Sequence, residues 1–192
     1  MKKYSIILLF SLLTVFASKA QGFNDPVFTS VPVTNGKVIF QQFIHADKAL
    51  SEDQRYALLY KWGKDKYAGN PLLSGIRFDD KARSITVSSK AELLLAANKD
   101  GVREKMLMNY RFDASITSSG CMLVIRDITY QNVQGKESSF FPKAYSAEDM
   151  ITDRVVNTQD DMQEVRSNTR KATLDFLNNL YNSLNGVLEV KK

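Results

Sequence analysis

Two neighbouring segments in the middle of the chain, Lys105–Thr117 and Cys121–Val133, constrain the fold more than any other feature. In the first segment apolar residues occupy alternate positions, and most of the positions between them are polar. This period of two is typical of a strand with one buried face. The intervening Ser118-Ser119-Gly120 fits a three-residue hairpin loop with its glycine in the left-handed conformation. The sequence therefore predicts a long central β-hairpin.

A loop of this length also predicts the pairing of the hairpin, because it places Thr117 opposite Cys121. Arg111 then lies opposite Asp127 on the same face, where an exposed cross-strand ion pair is worth at most about 1 kcal/mol. In this register Arg126 falls among apolar residues on the core side. A bulge near Arg126 would break the register and move Arg111 and Asp127 to opposite faces.

The segments on either side of the hairpin predict further strands and two long helices. In chain order the predicted elements are an extended arm at 21–36, the strand Lys37–His45, a helix from Ser51 to Tyr67, the strands Leu72–Asp79 and Arg83–Leu95, the hairpin, an irregular stretch Gln134–Thr158 with a helical turn at Ala147–Ile151, and the helix Asp160–Leu184. Ser51 and Gln54 fit a helix capping box. Both helices must bury an apolar stripe against the one apolar face of the sheet. We therefore expect a two-layer α+β sandwich with the order β-α-β-β-β-β-α, formed by a single domain at 37–186.

The N-terminal segment Met1–Ala20 has the features of a secretory signal peptide. Lys2-Lys3 is followed by the apolar run Ile6–Phe16 and by small residues before Gln21. The run is shorter than the roughly 20 residues that span a bilayer, so we predict cleavage rather than a membrane anchor. With the three lysines of this segment removed, 23 basic and 21 acidic residues leave a net charge of +2 in place of +5. We therefore expect an exported protein, periplasmic or extracellular, without a nucleic-acid partner.

The sequence contains no motif that is typical of an enzyme or a cofactor site. The single cysteine, Cys121, leaves no internal disulfide, and with one histidine, His45, the chain lacks the ligands of a zinc site. The acid pairs Glu52-Asp53, Asp79-Asp80 and Asp160-Asp161 lie at predicted helix starts and a turn, where acids have ordinary structural roles. We therefore expect no cofactor, no metal and no catalysis. A hydrolase-type enzyme with an unrecognised carboxylate site is the alternative.

Several short stretches of the chain resemble a known protein family. They are Val31-Pro32, Gly36-Lys37-Val38-Ile39-Phe40, Tyr60-Lys61-Trp62, Tyr110-Arg111-Phe112 and Asp127-Ile128-Thr129-Tyr130. Over Val31–Val133 the chain resembles a domain of unknown function with a TATA-binding-protein-like fold, found in exported Bacteroides-type proteins. The resemblance implies the same order of strands and helices as the periodicity does, and it implies no activity.

The face of the sheet that the predicted helices leave open is the candidate functional site. In the predicted register Leu123 and Ile125 form an apolar island there among polar side chains, and such islands are either covered or used for binding. The expected cover is the arm Phe23–Val33, the loop bearing Phe140 and Phe141, or a partner. We predict a non-catalytic binding or structural module of the bacterial cell envelope, which binds a protein, a glycan or an apolar ligand on this face or forms a homo-oligomer through it. The face as predicted consists of Arg111, Asp113, Leu123, Ile125 and Asp127.

Overall fold

The computed structural model describes residues 25–69, 74–97, 101–132 and 144–189. Their elements in chain order are β1 (Val33–Thr34), β2 (Lys37–Val38), β3 (Phe40–His45), α1 (Glu52–Tyr67), β4 (Ser74–Asp79), β5 (Ser84–Ala97), β6 (Arg103–Ile116), β7 (Gly120–Asn132), β8 (Ala144–Ser146), α2 (Ala147–Met150), α3 (Asp153–Val156) and α4 (Gln163–Leu188). The predicted signal peptide at Met1–Ala20 and the residues Phe140 and Phe141 lie outside the described ranges. Within those ranges, no helix combines the length and the apolar character needed to cross a membrane.

One antiparallel sheet forms the base of the fold, with the strand order β3-β7-β6-β5-β4 and with β8 paired to the far half of β7. The consecutive strands β4 to β7 form the predicted meander, and β3 adds to its edge beside β7. Both long helices pack on the same side of the sheet. Trp62 of α1 contacts the ring of Phe112, and Phe176 of α4 contacts the ring of Tyr110. The predicted two-layer α+β sandwich is confirmed.

The long helices begin and pack as their sequences predict. The Ser51 hydroxyl accepts a hydrogen bond from the Gln54 amide, and the Gln54 side chain accepts one from the Ser51 amide, which completes the capping box. In α4 the buried residues Leu177, Leu180 and Leu184 recur at helical spacing and face the sheet. These apolar stripes hold both helices on one side of the sheet.

The described chain around Phe28, before β3, packs against α4 rather than over the open face of the sheet. The backbone amide of Phe28 donates to Asn178 Oδ1, and the Asn178 side chain donates back to the Phe28 carbonyl. The Phe28 ring packs edge-on against the rings of Phe40 and Tyr181. The prediction that the arm Phe23–Val33 covers the open face is therefore wrong for its described part, because the buried ring of Phe28 anchors it on the helix side.

The central hairpin is present, but its loop is shifted by one residue from the predicted position. Ile116 pairs with Cys121, and Gly120 already belongs to β7, where it pairs with His45. Gly120 also lacks the positive φ that the sequence predicted. A Cβ atom at Gly120 would lie 2.0 Å from the backbone oxygen of Ile44. Glycine is required here because β3 approaches β7 closely, and not because of the turn.

A β-bulge interrupts the pairing of β6 with β7. On the side of the loop Arg111 pairs with Arg126, and beyond the bulge the pairing resumes one residue out of step, so that Tyr110 faces both Asp127 and Ile128. Asp127 has a φ of 56°, in the left-handed region that aspartate tolerates better than most residues. The strand therefore accommodates one extra residue at Asp127.

Because of the bulge, the side chains in the first half of β7 point to the faces opposite to those that the predicted register gives them. Leu123 and Ile125, which the predicted register placed outward, have 0% exposure and lie in the core, where Ile125 pairs with Phe112. Met122 and Val124, which that register placed in the core, are half-buried on the other side. The predicted apolar island is therefore wrong, because a slip of one residue moves every side chain of a strand to the opposite face.

Candidate binding face

The outer face is the side of the sheet turned away from α1 and α4. Along β6, buried residues alternate with half-buried ones from Met106 to Ile116, and the half-buried set includes Arg111. The strand pairing places the corresponding residues of the neighbouring strands beside it. The residues of the outer face used below are Arg77, Thr86, Ser88, Lys90, Glu92, Lys105, Leu107, Asn109, Arg111, Asp113, Met122, Val124, Arg126 and Thr129.

Asp113 is the centre of a hydrogen-bonded cluster in the middle of this face. Its Oδ2 accepts hydrogen bonds from Arg126 Nε at 3.2 Å and from Arg126 Nη2 at 2.9 Å. Its Oδ1 accepts from the Thr86 hydroxyl at 2.7 Å and lies 3.5 Å from Arg111 Nη2. We call these four residues the Asp113 cluster.

The strand pairing explains how four residues from three strands meet. Arg111 and Asp113 are two positions apart on β6, so they share a face. Thr86 of β5 pairs directly with Asp113, and Arg126 of β7 pairs directly with Arg111. Two like charges in directly opposite positions destabilise a sheet unless a counter-charge compensates them. Asp113 supplies that counter-charge from the diagonal position.

The predicted ion pair between Arg111 and Asp127 is wrong. Arg126 occupies the position opposite Arg111, and Asp127 lies in the bulge, where its side chain is 63% exposed. The nearest cationic contact of Asp127 is Arg126 Nη1, at 3.8 Å from Asp127 Oδ2. Arg111 and Asp127 are not paired because the bulge adds one residue to β7, and the predicted pairing has no such extra residue.

The Asp113 cluster carries a net positive charge. Partial burial acts to raise the pKa of Asp113, but hydrogen bonds from Thr86 and Arg126 and the positive charge of Arg111 outweigh it and lower the pKa below its ordinary value. Asp113 is therefore ionised at neutral pH and balances only one of the two guanidinium groups. Among the described residues, Arg111 Nε has no hydrogen-bond partner although it is shielded from solvent.

The surroundings of the cluster combine further cations with aliphatic side chains. Lys90 and Arg77 are exposed, and neither is part of an ion pair within the described ranges. Leu107 and Val124 are half-buried on the same face. Toward the far end of the face Lys105 forms an ion pair of 2.8 Å with Glu92, which neutralises that end. Cationic charge is therefore concentrated at the centre of the face.

The acid pairs of the sequence take part in local structure. Arg83 forms ion pairs with Glu52 at 3.1 Å and with Asp53 at 2.8 Å. Asp80 accepts a hydrogen bond from the Tyr56 hydroxyl at 2.7 Å, and Asp160 forms an ion pair with Arg166. These contacts join α1 to the turn after β4 and fix the start of α4.

Neither the cysteine nor the histidine forms a site with other chemically active groups. Burial raises the pKa of the Cys121 thiol to about 12, so the thiol stays protonated and unreactive. The ring of His45 packs edge-on against Phe43, with ring centres 4.9 Å apart. Across the described ranges, no group of three or more His, Cys, Asp or Glu side chains is placed to hold a metal ion.

A surface depression lies between the two long helices. It has a volume of about 520 Å³ and is lined by Leu58, Trp62 and Val187, among others. The indole Nε1 of Trp62 donates to Ser183 at 3.0 Å, and the ammonium of Lys66 lies 5.9 Å from the indole centre. The polar group of Trp62 is thus already used between the helices, which is typical of helix packing rather than of a ligand site.

The structure brings together only part of the predicted site. Arg111 and Asp113 are neighbours in the cluster, Asp127 lies at its edge in the bulge, and Leu123 and Ile125 belong to the core. Sequence reasoning missed Arg126 and Thr86. The sequence gives one indication that Arg126 faces outward: in the predicted register it is a charged residue in a row of apolar, core-facing residues.

The order of strands, the meander and the two helices on one side define an α+β domain of the TBP-like type, and comparison with solved structures agrees. A TBP-like protein from Parabacteroides distasonis has 23% identity and a TM-score of 0.69, over 82% of this chain and 96% of that chain. A DUF4468 family protein from Bacteroides ovatus has 20% identity and a TM-score of 0.68, over 86% of this chain and 94% of that chain. No family model and no curated protein matches the sequence. The likeness shows the fold, and the resemblance to a TBP-like domain of unknown function in Bacteroides-type proteins is confirmed.

Proposed function

We propose that this protein is a non-catalytic binding module of the bacterial cell envelope, and that it binds a partner protein with an acidic surface through its outer face. The observation that carries the proposal is the Asp113 cluster, which holds Arg111 and Arg126 directly opposite each other on the sheet face turned away from α1 and α4. Folding alone gives no reason for this pairing, because like charges in opposite positions cost stability.

The composition of the outer face supports a protein partner. Arginine and methionine are enriched at protein interfaces, which also bury apolar groups. Met122, Val124 and Leu107 supply such groups around the two arginines. Charge at the centre disfavours an apolar ligand, since an unpaired charge is costly to bury.

The charge of the outer face supports an acidic partner. At its centre Lys90, Arg111 and Arg126 outnumber the carboxylates of Asp113 and Asp127. Complementary charge steers two proteins toward the correct encounter and suppresses wrong partners. An acidic surface is therefore the complement of this face.

Export and the absence of catalysis are parts of the same proposal. Export is supported by the signal features of Met1–Ala20. A non-catalytic role is supported by the structural use of the acid pairs, such as the contacts of Glu52 and Asp53 with Arg83. In the described part of the chain, the carboxyl groups whose pKa departs from the ordinary value, Asp113 among them, all shift downward, whereas a general acid needs a raised pKa.

The proposal is tested by photo-crosslinking in the intact bacterium. A photo-reactive residue replaces Ser88 on the outer face in one strain and Ser167 on α4 in a second strain, since both serines are exposed. We expect a crosslinked protein of defined mass from position 88 and none from position 167. Equal crosslinking from both positions, or a glycan adduct at position 88, would contradict the proposal.

A further inference from the structure

We infer that Arg111 and Arg126 together bind one carboxylate of a glutamate or aspartate side chain of the partner, and that the negative charge of Asp113 weakens this binding. The inference rests on the proposed function. It adds the chemical group that the outer face recognises and the residues that recognise it.

Arg111 and Arg126 retain many hydrogen-bond donors that no described residue uses. A guanidinium group has five N–H donors and no acceptor. Arg126 gives two hydrogen bonds to Asp113 Oδ2, and Arg111 only approaches Asp113 Oδ1, at 3.5 Å from its Nη2. Most of the donors of both arginines are therefore free of hydrogen bonds to described residues.

The two arginines are also close enough to bind one anion together. Arg111 and Arg126 are direct cross-strand partners, and the Cβ atoms of such partners lie about 5 Å apart. Their side chains are 35% and 38% exposed, so the guanidinium groups reach solvent although their stems are packed. A planar guanidinium matches the two oxygens of a carboxylate, and two adjacent guanidinium groups offer such an anion more than one donor pair.

Aliphatic residues beside the two arginines indicate the source of the carboxylate. Val124 pairs directly with Asp113, and Met122 lies two positions further along β7. An acidic side chain of a protein brings aliphatic groups and a backbone into contact with these residues. A free phosphate or a sugar acid would leave them without a complementary apolar partner. The aliphatic neighbours therefore favour a protein carboxylate over these other anions.

Asp113 gives the inference a distinctive consequence. Its carboxylate occupies two N–H groups of Arg126, which are then unavailable to the partner, and its charge repels an approaching anion. Replacing it by asparagine keeps the size of the side chain and removes the charge. The variant Asp113→Asn therefore binds an anionic ligand more tightly than the natural protein does, whereas a purely structural cluster would bind no better after losing its central residue.

The test is a titration of the isotope-labelled protein, followed by the arginine Nε–H resonances in nuclear magnetic resonance spectra. The probe is a short capped peptide of alternating glutamate and threonine, and its control is the peptide with glutamine in place of glutamate. Inorganic phosphate and glucuronate are titrated separately as other sources of anionic oxygen. Arg111→Gln and Arg126→Gln remove the proposed ligands singly. Lys105→Gln is the matched control, because it removes the same charge from the far end of the same face.

We expect the glutamate peptide to shift the Nε–H signals of Arg111 and Arg126 and the glutamine peptide to leave them unchanged. Each arginine variant weakens binding about tenfold or more, as the loss of charge-assisted hydrogen bonds requires. Asp113→Asn strengthens binding, and Lys105→Gln changes it less than threefold.

Three results would overturn the inference. They are tighter binding of phosphate or glucuronate than of the peptide, equal losses in Lys105→Gln and the arginine variants, and unmoved arginine signals with every probe. If one of these results is found together with crosslinking from position 88, the proposal of a protein partner stands and only the carboxylate site is rejected. Absence of crosslinking together with peptide binding rejects the partner and keeps the site.

Discussion

The two faces of the hairpin consist of alternate residues of the same strands, yet they differ in what they contribute. On the inner face Phe112 and Ile125 pair with each other at 0% exposure and pack beneath the helices. One residue away along each strand, Arg111 and Arg126 pair on the outer face and remain partly exposed. The inner pair stabilises the fold through burial, whereas the outer pair costs stability unless Asp113 compensates it. Residues that work against stability indicate where function determines the sequence.

The largest expected effect separates the two faces at neighbouring positions of β7. Leu123→Ala removes a fully buried side chain and is expected to lower the free energy of unfolding by about 2–5 kcal/mol. Val124→Ala is the matched control on the outer face, and its expected cost is below about 1 kcal/mol. Urea unfolding of both variants measures the difference. Equal losses at the two positions would show that the outer face is as deeply packed as the core.

Much of the fold could be predicted because burial repeats with the period of each element. The alternation in β6 revealed its buried face, and the leucines of α4 revealed the stripe that packs on the sheet. The capping residues Ser51 and Gln54 gave the start of α1. Beyond the bulge even the predicted pairing holds, with Asn109 opposite Thr129.

The bulge could not be predicted from periodicity. It lies at Asp127, with no glycine beside it in the sequence to mark a left-handed residue. One inserted residue changes which half of a strand faces the core, so Leu123 and Ile125 were assigned to the wrong face. Arg126 was assigned to the wrong face for the same reason. Thr86 is absent from the predicted site because its pairing with Asp113 joins strands from separate parts of the sequence.

A smaller effect is expected from removing the charge of Asp113. Hydrogen bonds and nearby arginines lower the pKa of Asp113 in the folded protein, against the effect of its partial burial. A lowered folded-state pKa contributes stability that is present above the unfolded pKa of about 4 and is lost as the pH falls through the folded value. We therefore expect the natural protein to be more stable than Asp113→Asn at neutral pH, by about 1 kcal/mol or less, with a difference that shrinks below about pH 4.

The measurement is denaturant unfolding of both proteins over a range of pH. Groups that titrate in the same way in both proteins cancel in the difference. A difference that grows on acidification, or one that does not depend on pH, would show that the charge of Asp113 does not hold the two arginines on the outer face.

The smallest expected effect is that of Asp127→Gly, at the bulge residue that shifts the two halves of β7 by one position. Asp127 has a φ of 56°, which glycine adopts without steric cost and which a β-branched residue adopts only with strain. Asp127→Gly is therefore expected to raise the free energy of unfolding by about 0.5 kcal/mol, and Asp127→Val to lower it by about 1–2 kcal/mol. Because the side chain is exposed, loss of packing contributes little to either value. Thermal unfolding compares the three proteins, and amide hydrogen exchange at Leu123 and Ile125 reports whether the inner face is retained. If valine were tolerated as well as glycine, the left-handed conformation at position 127 would not be required for the register shift between the two halves of β7.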